Sequence, residues 1–401
     1  MDRSRLAVLA IAALLAGTGC PVGPGEQGPD AGSHDAAVLD ASSGTPGPDA
    51  ATAIDASAAP DASPLDAGTA IGPDASTSSA DAASPLALSC AITAPAASDS
   101  LVVGEALALQ GTASAGTPPY SFAWLSDHDG ALGTGASMVA AALSVNDHLI
   151  RLQATDSLGA TATSAAVSVH VLPVAFDWSH KVLPAAPPAA GDWMTPVKNQ
   201  STCGSCWAFA ALGAMEAKWN IQNGNPDLDI DLSEQFVIDC HKGAVGCGGG
   251  APEQALDPFI KTTGVPVETC DPFVGHNATC VTQCQDGSAL ALWRITGIHS
   301  FVPPAPDPPA VRKWLRDAIV HDGPSPRSMS GMYGWNSATN KCDSGQGDHY
   351  VVLVGYDHAA GVFIAKNSWG ATWNGNGYFK IAYGSCGMDG SGTTIDQVIP
   401  P

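Results

Sequence analysis

The residues that could carry out chemistry are a cysteine, a histidine and an asparagine in the second half of the chain. Cys206 stands in the run Cys-Gly-Ser-Cys-Trp, His349 follows it by 143 residues, and Asn367 follows it by 161 residues. A thiolate attacks carbonyl carbons, and an imidazole can deliver a proton to the leaving group. An amide side chain can orient that imidazole through its other ring nitrogen. These residues therefore predict nucleophilic catalysis by Cys206, with His349 as acid and base and Asn367 as the orienting group.

The sequence that follows Cys206 favours the ionised form of its thiol. Residues 207–219 form an apolar, alanine-rich stretch, which predicts a helix that begins at Cys206. The N-terminus of a helix is electropositive and stabilises a thiolate, and a protonated His349 nearby adds to this effect. Gln200 lies six residues before the nucleophile. Its side-chain N–H and the backbone N–H of Cys206 are expected to stabilise the oxyanion of the reaction intermediate.

The sequence around these residues resembles the papain-like cysteine peptidases. The shared motifs are Asn-Gln-Ser-Thr-Cys-Gly-Ser-Cys-Trp around Cys206, Asp-His-Tyr around His349 and Lys-Asn-Ser-Trp-Gly around Asn367. The resemblance extends over residues 176–387, just over half of the chain. It implies an α+β fold with a two-lobed catalytic domain over residues 175–401, built from a helical lobe and a β-barrel-like lobe. It also implies a cysteine endopeptidase that needs no metal and no organic cofactor.

The resemblance also implies which residues contact the substrate. Gly249, Gly250 and Pro252 match the family segment that pairs with the substrate backbone and borders the S2 pocket. The floor of that pocket is expected at Ser391 or Gly390. The three segment residues, with one of these two, are therefore predicted to form one wall and the end of the substrate cleft.

Two aromatic residues beside the catalytic positions are assigned in the same way. Trp369 is expected to shield the hydrogen bond between His349 and Asn367 from water. Tyr350 stands where the family usually has a small residue, and its bulk should narrow the S2 pocket. The stretch that resembles the start of the cathepsin B insertion has one histidine, His276, and lacks the His-His pair that binds a substrate carboxylate. Endopeptidase activity is therefore expected.

The eleven cysteines indicate an oxidised, exported domain. The resemblance implies three disulfides and leaves two further cysteines that could form a fourth. The implied pairs are Cys203–Cys247, Cys240–Cys280 and Cys342–Cys386, with Cys270–Cys284 as the remaining pair. Cys90 is then left over, either as a buried thiol or as a partner in an intermolecular bond.

Residues 87–172 have a different pattern and predict a separate all-β sandwich domain. Apolar and polar residues alternate around Trp124, Leu152 and Val169, with turn sequences between these runs. The run Pro-Pro-Tyr-Ser-Phe-Ala-Trp resembles PKD-like, immunoglobulin-like modules of bacterial surface proteins. Two roles stay open, a folded spacer and a weak carbohydrate- or protein-binding module. Nothing in this region has the charged, helical composition of a papain-like inhibitory propeptide.

The start of the chain predicts export. Residues 1–20 combine two arginines, eleven consecutive apolar residues and small residues that end in Cys20. This pattern resembles a bacterial lipoprotein signal and implies a lipid on Cys20 and a place in the cell envelope. Ordinary cleavage shortly before Cys20 is the alternative. Residues 21–86 are rich in Ala, Asp, Pro and Ser and predict a disordered linker, either a spacer or a product of neutral drift.

The charge of the chain excludes some partners. There are 16 basic and 38 acidic side chains, for a formal net charge of −22. This balance argues against binding nucleic acid or anionic lipid through basic patches. The expected partners are polypeptide substrates, with membrane contact only through a lipid on Cys20, and the chain is expected to be a monomer. Two other functions are compatible with the sequence, an adhesion protein with an inactive peptidase fold and a thiol acyltransferase.

Overall fold

The computed structural model describes residues 87–179, 191–303, 308–342 and 348–401. The predicted signal over residues 1–20, with Cys20, and the predicted linker over residues 21–86 lie outside them. All the described residues belong to one compact unit. Within them, no helix has both the length and the apolar character needed to cross a membrane.

Nine strands make up the region of residues 87–172. They are β1 (Ser89–Ala94), β2 (Asp99–Val102), β3 (Leu107–Ser114), β4 (Ser121–Ser126), β5 (Gly130–Thr134), β6 (Ser137–Ala140), β7 (Asn146–Thr155), β8 (Thr161–Thr163) and β9 (Val167–Leu172). A three-stranded sheet has the order β1-β3-β6, and a six-stranded sheet has the order β2-β9-β7-β4-β5 with β8 also paired to β7. Most neighbours are antiparallel, but β2 and β9 run parallel.

The alternation in the sequence buries one face of these strands. In β7, Ile150, Leu152 and Ala154 are fully buried, while the residues between them are partly exposed. Trp124 of β4 lies in the same apolar core, and its indole N–H donates to the carbonyl oxygen of Gly135 at 2.9 Å. The half-buried strands that the sequence predicts are therefore present.

The second half of the described chain mixes helices and strands. The helices are α1 (Cys206–Gln222), α2 (Glu234–Cys240), α3 (Pro252–Gln254) and α4 (Pro308–His321). The strands are β10 (Ala175–Asp177), β11 (Arg294–Ile295), β12 (Ile298–Phe301), β13 (Ser325–Ser330), β14 (Trp335–Asn336), β15 (Lys341–Cys342), β16 (Asp348–Asp357), β17 (Val362–Lys366), β18 (Tyr378–Ala382), β19 (Gly392–Ile395) and β20 (Val398–Ile399). This mixture agrees with the predicted α+β class.

Helix α1 and an antiparallel sheet form the core of this half. The sheet has the order β10-β16-β17-β18, and β13 also pairs with β16. Thirteen of the 17 residues of α1 are buried, so the helix is enclosed on almost every side. Its small residues allow a close approach, since a Cβ atom on Gly213 would lie 3.4 Å from Cγ2 of Val352 in β16. This packing fixes the start of α1 relative to the sheet.

Four disulfides join the segments around this core. They are Cys203–Cys247, Cys240–Cys280, Cys270–Cys284 and Cys342–Cys386. The four predicted pairs are therefore confirmed. Cys90 is the free cysteine among the described residues. Its partly buried sulfur lies 3.4 Å from the carbonyl oxygens of Leu152 and Ala162, which fits an internal thiol.

Candidate active site

The sheet brings two of the predicted site residues together at one edge. Strands β16 and β17 are antiparallel neighbours, so the start of β16 lies beside the end of β17. His349 is the second residue of β16, and Asn367 directly follows β17. Their side chains therefore meet, with Nε2 of His349 2.8 Å from Oδ1 of Asn367.

The bond between His349 and Asn367 fixes the state of the imidazole. Because an amide oxygen accepts, Nε2 of His349 carries the proton and Nδ1 is left with a lone pair. Both side chains are buried, and Nδ1 has no hydrogen-bond partner within the described residues. Burial lowers the pKa of His349 to about 4, and the bond with Asn367 opposes this shift. The ring thus presents one anchored nitrogen and one basic nitrogen.

The sulfur of Cys206 lies against the strand that carries this histidine. Cys206 is fully buried and is the first residue of α1. The backbone N–H of Tyr350, the residue after His349, lies 3.3 Å from Sγ of Cys206 and donates to it. The Ser205 side chain does not cap the helix, and the first turn contains no acidic residue, so the positive end of the helix dipole acts at this sulfur. Cys206 is disulfide-bonded in this structure, and reduction releases it as a thiol.

Gln200 is buried in the loop that leads to Cys206. Its Nε2 donates to the carbonyl oxygen of Cys203 at 2.9 Å, and its Oε1 accepts from the Ser368 hydroxyl at 2.6 Å. Its backbone N–H also donates to the carbonyl oxygen of Ser368 at 2.8 Å. These bonds identify the nitrogen end of the Gln200 amide. They hold that nitrogen beside the loop that leads to Cys206.

Trp369 covers the imidazole. The ring centroids of Trp369 and His349 lie 4.8 Å apart, with 33° between the ring planes. Trp373 packs edge-on against Trp369 at 5.3 Å. An open cavity of about 340 Å³ lies beside these rings and is lined by Met332, Tyr333, Trp335, Ser337, Trp369, Trp373 and Asn374. Sequence reasoning missed this aromatic cavity because its residues come from two separate loops.

The predicted glycine segment packs against the first turn of α1. A Cβ atom on Gly250 would lie 2.6 Å from the Trp207 ring, so only glycine allows this approach. Gly249 has a φ of 125°, a conformation that favours glycine. The Gly204 N–H donates to the carbonyl oxygen of Cys247 at 3.0 Å, which ties the segment to the nucleophile loop. Pro252 is buried and begins α3.

Tyr350 lies beside polar groups that the sequence analysis did not single out. It pairs across the sheet with Ser328 of β13. Burial raises the pKa of Tyr350 to about 12, and the negative charge of Glu253 adds to this shift. Glu253 follows Pro252 in α3, and burial raises its pKa as well. The wall of the cleft near Tyr350 therefore contains a half-buried acid.

Arg327 of β13 is a second buried charge that was missed. Its guanidinium donates to the Ser391 hydroxyl at 2.8 Å and to the carbonyl oxygen of Met388 at 2.6 Å. Burial lowers its pKa to about 10, which Glu253 and Asp389 oppose. Ser391, one of two residues predicted at the pocket floor, therefore contacts an arginine. The available signal was a lone arginine in the middle of a short, mostly uncharged strand sequence.

A cluster of ion pairs joins helix α1 to the segment that carries Gln200. Nζ of Lys198 lies 2.9 Å from Glu216 of α1, 2.9 Å from Glu234 of α2 and 2.7 Å from Asp231. Burial lowers the pKa of Lys198, but the three carboxylates reverse this effect and hold it well above its ordinary value. Burial raises the pKa of Glu234 to about 8 despite Lys198, because several acids share one cation. The cluster locks α1 to the segment that carries Gln200.

Comparisons with known proteins identify the family of this half of the chain. The family model described as papain family cysteine protease matches residues 172–395, more than half of the chain. The chain is 31% identical over 223 residues to the viral cathepsin of Lymantria dispar multicapsid nuclear polyhedrosis virus, which covers 54% of this chain and 56% of that protein. It is 35% identical over 228 residues to the thiol protease aleurain of Arabidopsis thaliana, with coverage of 52% and 60%. The chain thus spans less than two thirds of the length of these relatives.

One solved structure aligns with the same half of the chain. The bromelain protease from Ananas comosus, solved in complex with the E64 inhibitor, aligns with 28% identity and a TM-score of 0.45. The alignment covers 56% of this chain and 100% of that chain.

Proposed function

This chain belongs to the papain family of cysteine proteases, and on that premise we propose that it is an exported endopeptidase that cleaves polypeptides through a thioester on Cys206. The observation that carries the proposal is the His349 side chain. Its Nε2 is held by Asn367, while its buried Nδ1 lacks a hydrogen-bond partner within the described residues. Leaving a buried polar atom unpaired costs free energy. A role in proton transfer accounts for that cost.

In the first half of the reaction, Cys206 acts as the nucleophile. Its thiolate forms a bond to the carbonyl carbon of the substrate, and the carbonyl electron pair moves to oxygen. The backbone N–H of Cys206 and the side chain of Gln200 stabilise this oxyanion. When the oxyanion collapses, the C–N bond breaks and His349 gives its Nδ1 proton to the leaving amine. The acyl group remains on Cys206 as a thioester.

In the second half, His349 acts as a base. Its neutral Nδ1 removes a proton from water, and the water oxygen attacks the thioester carbonyl. The C–S bond then breaks, the product leaves as a carboxylic acid, and the thiolate and imidazolium form again. Asn367 binds the Nε2 proton throughout, so proton transfer is confined to Nδ1.

The protonated state of His349 depends on Cys206. Burial alone would keep the imidazole neutral at pH 7, because it lowers the pKa to about 4. A thiolate at Cys206 places a negative charge beside the ring, which raises the pKa of His349. The two groups therefore titrate as a coupled pair, and each stabilises the charge of the other.

The substrate is proposed to lie between the glycine segment and the aromatic cavity. Gly249 and Gly250 offer backbone that a side chain does not cover, and Tyr350 narrows the neighbouring pocket. The aromatic cavity beside Trp369 lies on the other side of His349 and suits the side chains of the leaving peptide. An extended polypeptide that crosses Cys206 can contact both.

The proposal includes export and a folded spacer. Four disulfides are typical of proteins from oxidising compartments. The signal-like residues 1–20 and the lipid on Cys20 would place the protein in a bacterial cell envelope. The strands of residues 87–172 would form the β-sandwich that holds the monomeric peptidase away from its anchor.

The deciding experiment labels the nucleophile with an epoxysuccinyl inhibitor. The full chain is first treated with a mild thiol reductant, because Cys206 is disulfide-bonded in this structure. Intact mass spectrometry should then show a single adduct on the parent protein. A panel of fluorogenic peptides, assayed on the same sample, should show hydrolysis.

Two cysteine variants provide the controls. Cys206→Ala should remove both the adduct and the hydrolysis. Cys90→Ala removes the free cysteine of the β region and should change neither. A folded, reduced protein that forms no adduct, or one whose adduct survives in Cys206→Ala, would contradict the proposal.

A further inference from the structure

We propose that a divalent transition-metal ion, for which zinc suits the ligands best, binds between Asp147, His170 and His321. These residues lie where the strands of residues 87–172 contact helix α4. The three residues come from β7, β9 and the end of α4, so no short sequence motif predicts the site. The ion would join the β region to the catalytic half.

The backbone places the three side chains next to one another. Asp147 and His170 face each other directly across the antiparallel strands β7 and β9, so both side chains point to the same face of the sheet. His321 is the last residue of α4, and its Nε2 lies 3.1 Å from Oδ1 of Asp147. One potential ligand atom from each residue lies within 4.8 Å of the other two.

A second carboxylate orients both imidazoles. Oδ1 of Asp317 lies 2.8 Å from Nδ1 of His170 and 3.2 Å from Nδ1 of His321. The two ring centroids are 4.5 Å apart. When each Nδ1 donates its proton to Asp317, the lone pair of each neutral ring is on Nε2. A carboxylate that binds the far nitrogen of a ligating histidine is a common feature of zinc sites.

The electrostatic surroundings favour a dication. Asp147 and Asp317 supply two negative charges, and the C-terminus of α4 adds the negative end of a helix dipole. These negative charges would attract a metal ion, and binding releases any proton held on a ligand nitrogen.

The ligand types and their freedom to move suit zinc. Two imidazole nitrogens and a carboxylate oxygen bind Zn²⁺ at about 2.0–2.2 Å, which places neighbouring ligand atoms about 3.3 Å apart. The present separations of up to 4.8 Å require a contraction. The Asp147 side chain is 61% exposed, so it can move toward the two histidines. A water molecule would complete the coordination.

The test measures zinc binding by the full chain carrying Cys206→Ala. This substitution removes Cys206 as a competing zinc ligand if its sulfur becomes reduced during handling. The protein is stripped with EDTA, kept with its structural disulfides intact and titrated with Zn²⁺ by isothermal titration calorimetry. Co²⁺ then replaces Zn²⁺, and its visible absorption reports the coordination geometry. We expect one ion per chain and the absorption of a tetrahedral site.

Ligand variants and a matched histidine variant complete the test. Asp147→Asn and His170→Gln should each weaken zinc binding at least about tenfold, and Asp317→Asn should weaken it about 10- to 100-fold. His276→Gln removes an exposed histidine outside the cluster and should bind as the parent does. Circular dichroism verifies folding, and the exposed Asp147 makes unfolding of its variant unexpected.

Two results would overturn the proposal. One is the lack of saturable binding by the folded parent, and the other is binding that Asp147→Asn and His170→Gln leave unchanged. The four residues would then form only an ion-pair contact between the β region and α4. Neither result bears on the peptidase proposal, because the parent of this test lacks the nucleophile.

Discussion

The two regions of the described chain treat buried polar groups differently. In residues 87–172, buried polar side chains find partners, as where Ser126 and His148 bond to each other at 2.8 Å. Buried side-chain nitrogen and oxygen atoms without a hydrogen-bond partner occur, among the described residues, only between positions 220 and 389. The β region is therefore built for stability, whereas the catalytic half retains polar atoms that stability alone does not explain.

Three of these unpaired atoms lie together at the candidate site. They are Nδ1 of His349, Nδ2 of Asn367 and Nε1 of Trp369. Unpaired buried polar atoms cost about 1–3 kcal/mol each, and the proposed catalytic role would account for that cost at these three. The comparison thus contrasts a region whose buried polar groups are paired with a candidate site where some are not, and each prediction below tests one side of it.

The largest expected effect is on catalysis with no loss of fold. His349→Ala should lower kcat/KM by at least about four orders of magnitude, because it removes both the acid and the base. Thermal unfolding followed by circular dichroism should show that the variant is still folded at the temperature of the assay. His276→Ala, an exposed histidine, is the matched control. A His349→Ala variant with kcat/KM near the parent value would contradict the proposed role of His349 as acid and base.

The second effect concerns the ion cluster under the site. Lys198→Met should destabilise the protein by about 3–5 kcal/mol, because Glu216 and Glu234 would lose their buried cation. Urea unfolding measures the change in the free energy of unfolding. Lys242→Met, at an exposed position, should have little effect. An unchanged midpoint for Lys198→Met would mean that the cluster does not lock α1.

The third effect tests the β region by itself. Leu152→Ala should cost about 2–5 kcal/mol, because it opens a cavity in a fully buried position. The kcat/KM of the folded protein should stay at the parent value, since Leu152 contacts no site residue. Leu158→Ala, at a position that is 80% exposed, is the control. A fall in kcat/KM at temperatures where the protein is folded would show that the two regions are coupled.

The smallest effect concerns the titration of His349. In Cys206→Ala no thiolate raises its pKa, so NMR should find a value of about 4. An unfolded histidine titrates near 6.5, so the unfolded chain binds more protons between these values. The contribution of His349 to stability should therefore fall as the pH drops from about 6.5 to 4 and stay constant below. Comparing the free energies of unfolding of Cys206→Ala and of the double variant that adds His349→Gln isolates this contribution. A measured His349 pKa near 6.5 would contradict the effect of burial.

The candidate catalytic residues stand out in the sequence because each belongs to a short motif with characteristic neighbours. Cys206 and the helix that follows it are one example, since the alanine-rich stretch and the nucleophile are continuous in the chain. The four disulfides followed from the same resemblance. The alternation of apolar residues around Leu152 likewise predicted half-buried strands, because that pattern depends only on neighbouring positions.

Features that depend on distant pairing could not be predicted. Lys198 looks like an ordinary surface lysine until α1 and α2 bring two glutamates to it. The parallel pairing of β2 with β9 depends on the whole sheet, and no local pattern encodes it. His170 and His321 come together only because α4 packs against the β region. Sequence reasoning finds chemistry that is local in the chain and misses chemistry assembled by tertiary contacts.

The disulfide between Cys203 and Cys247 makes two walls of the candidate cleft depend on one covalent bond. It fastens the glycine segment to the loop that carries Cys206, so breaking it frees both segments at once. A reductant strong enough to break this bond therefore loosens the cleft from both sides.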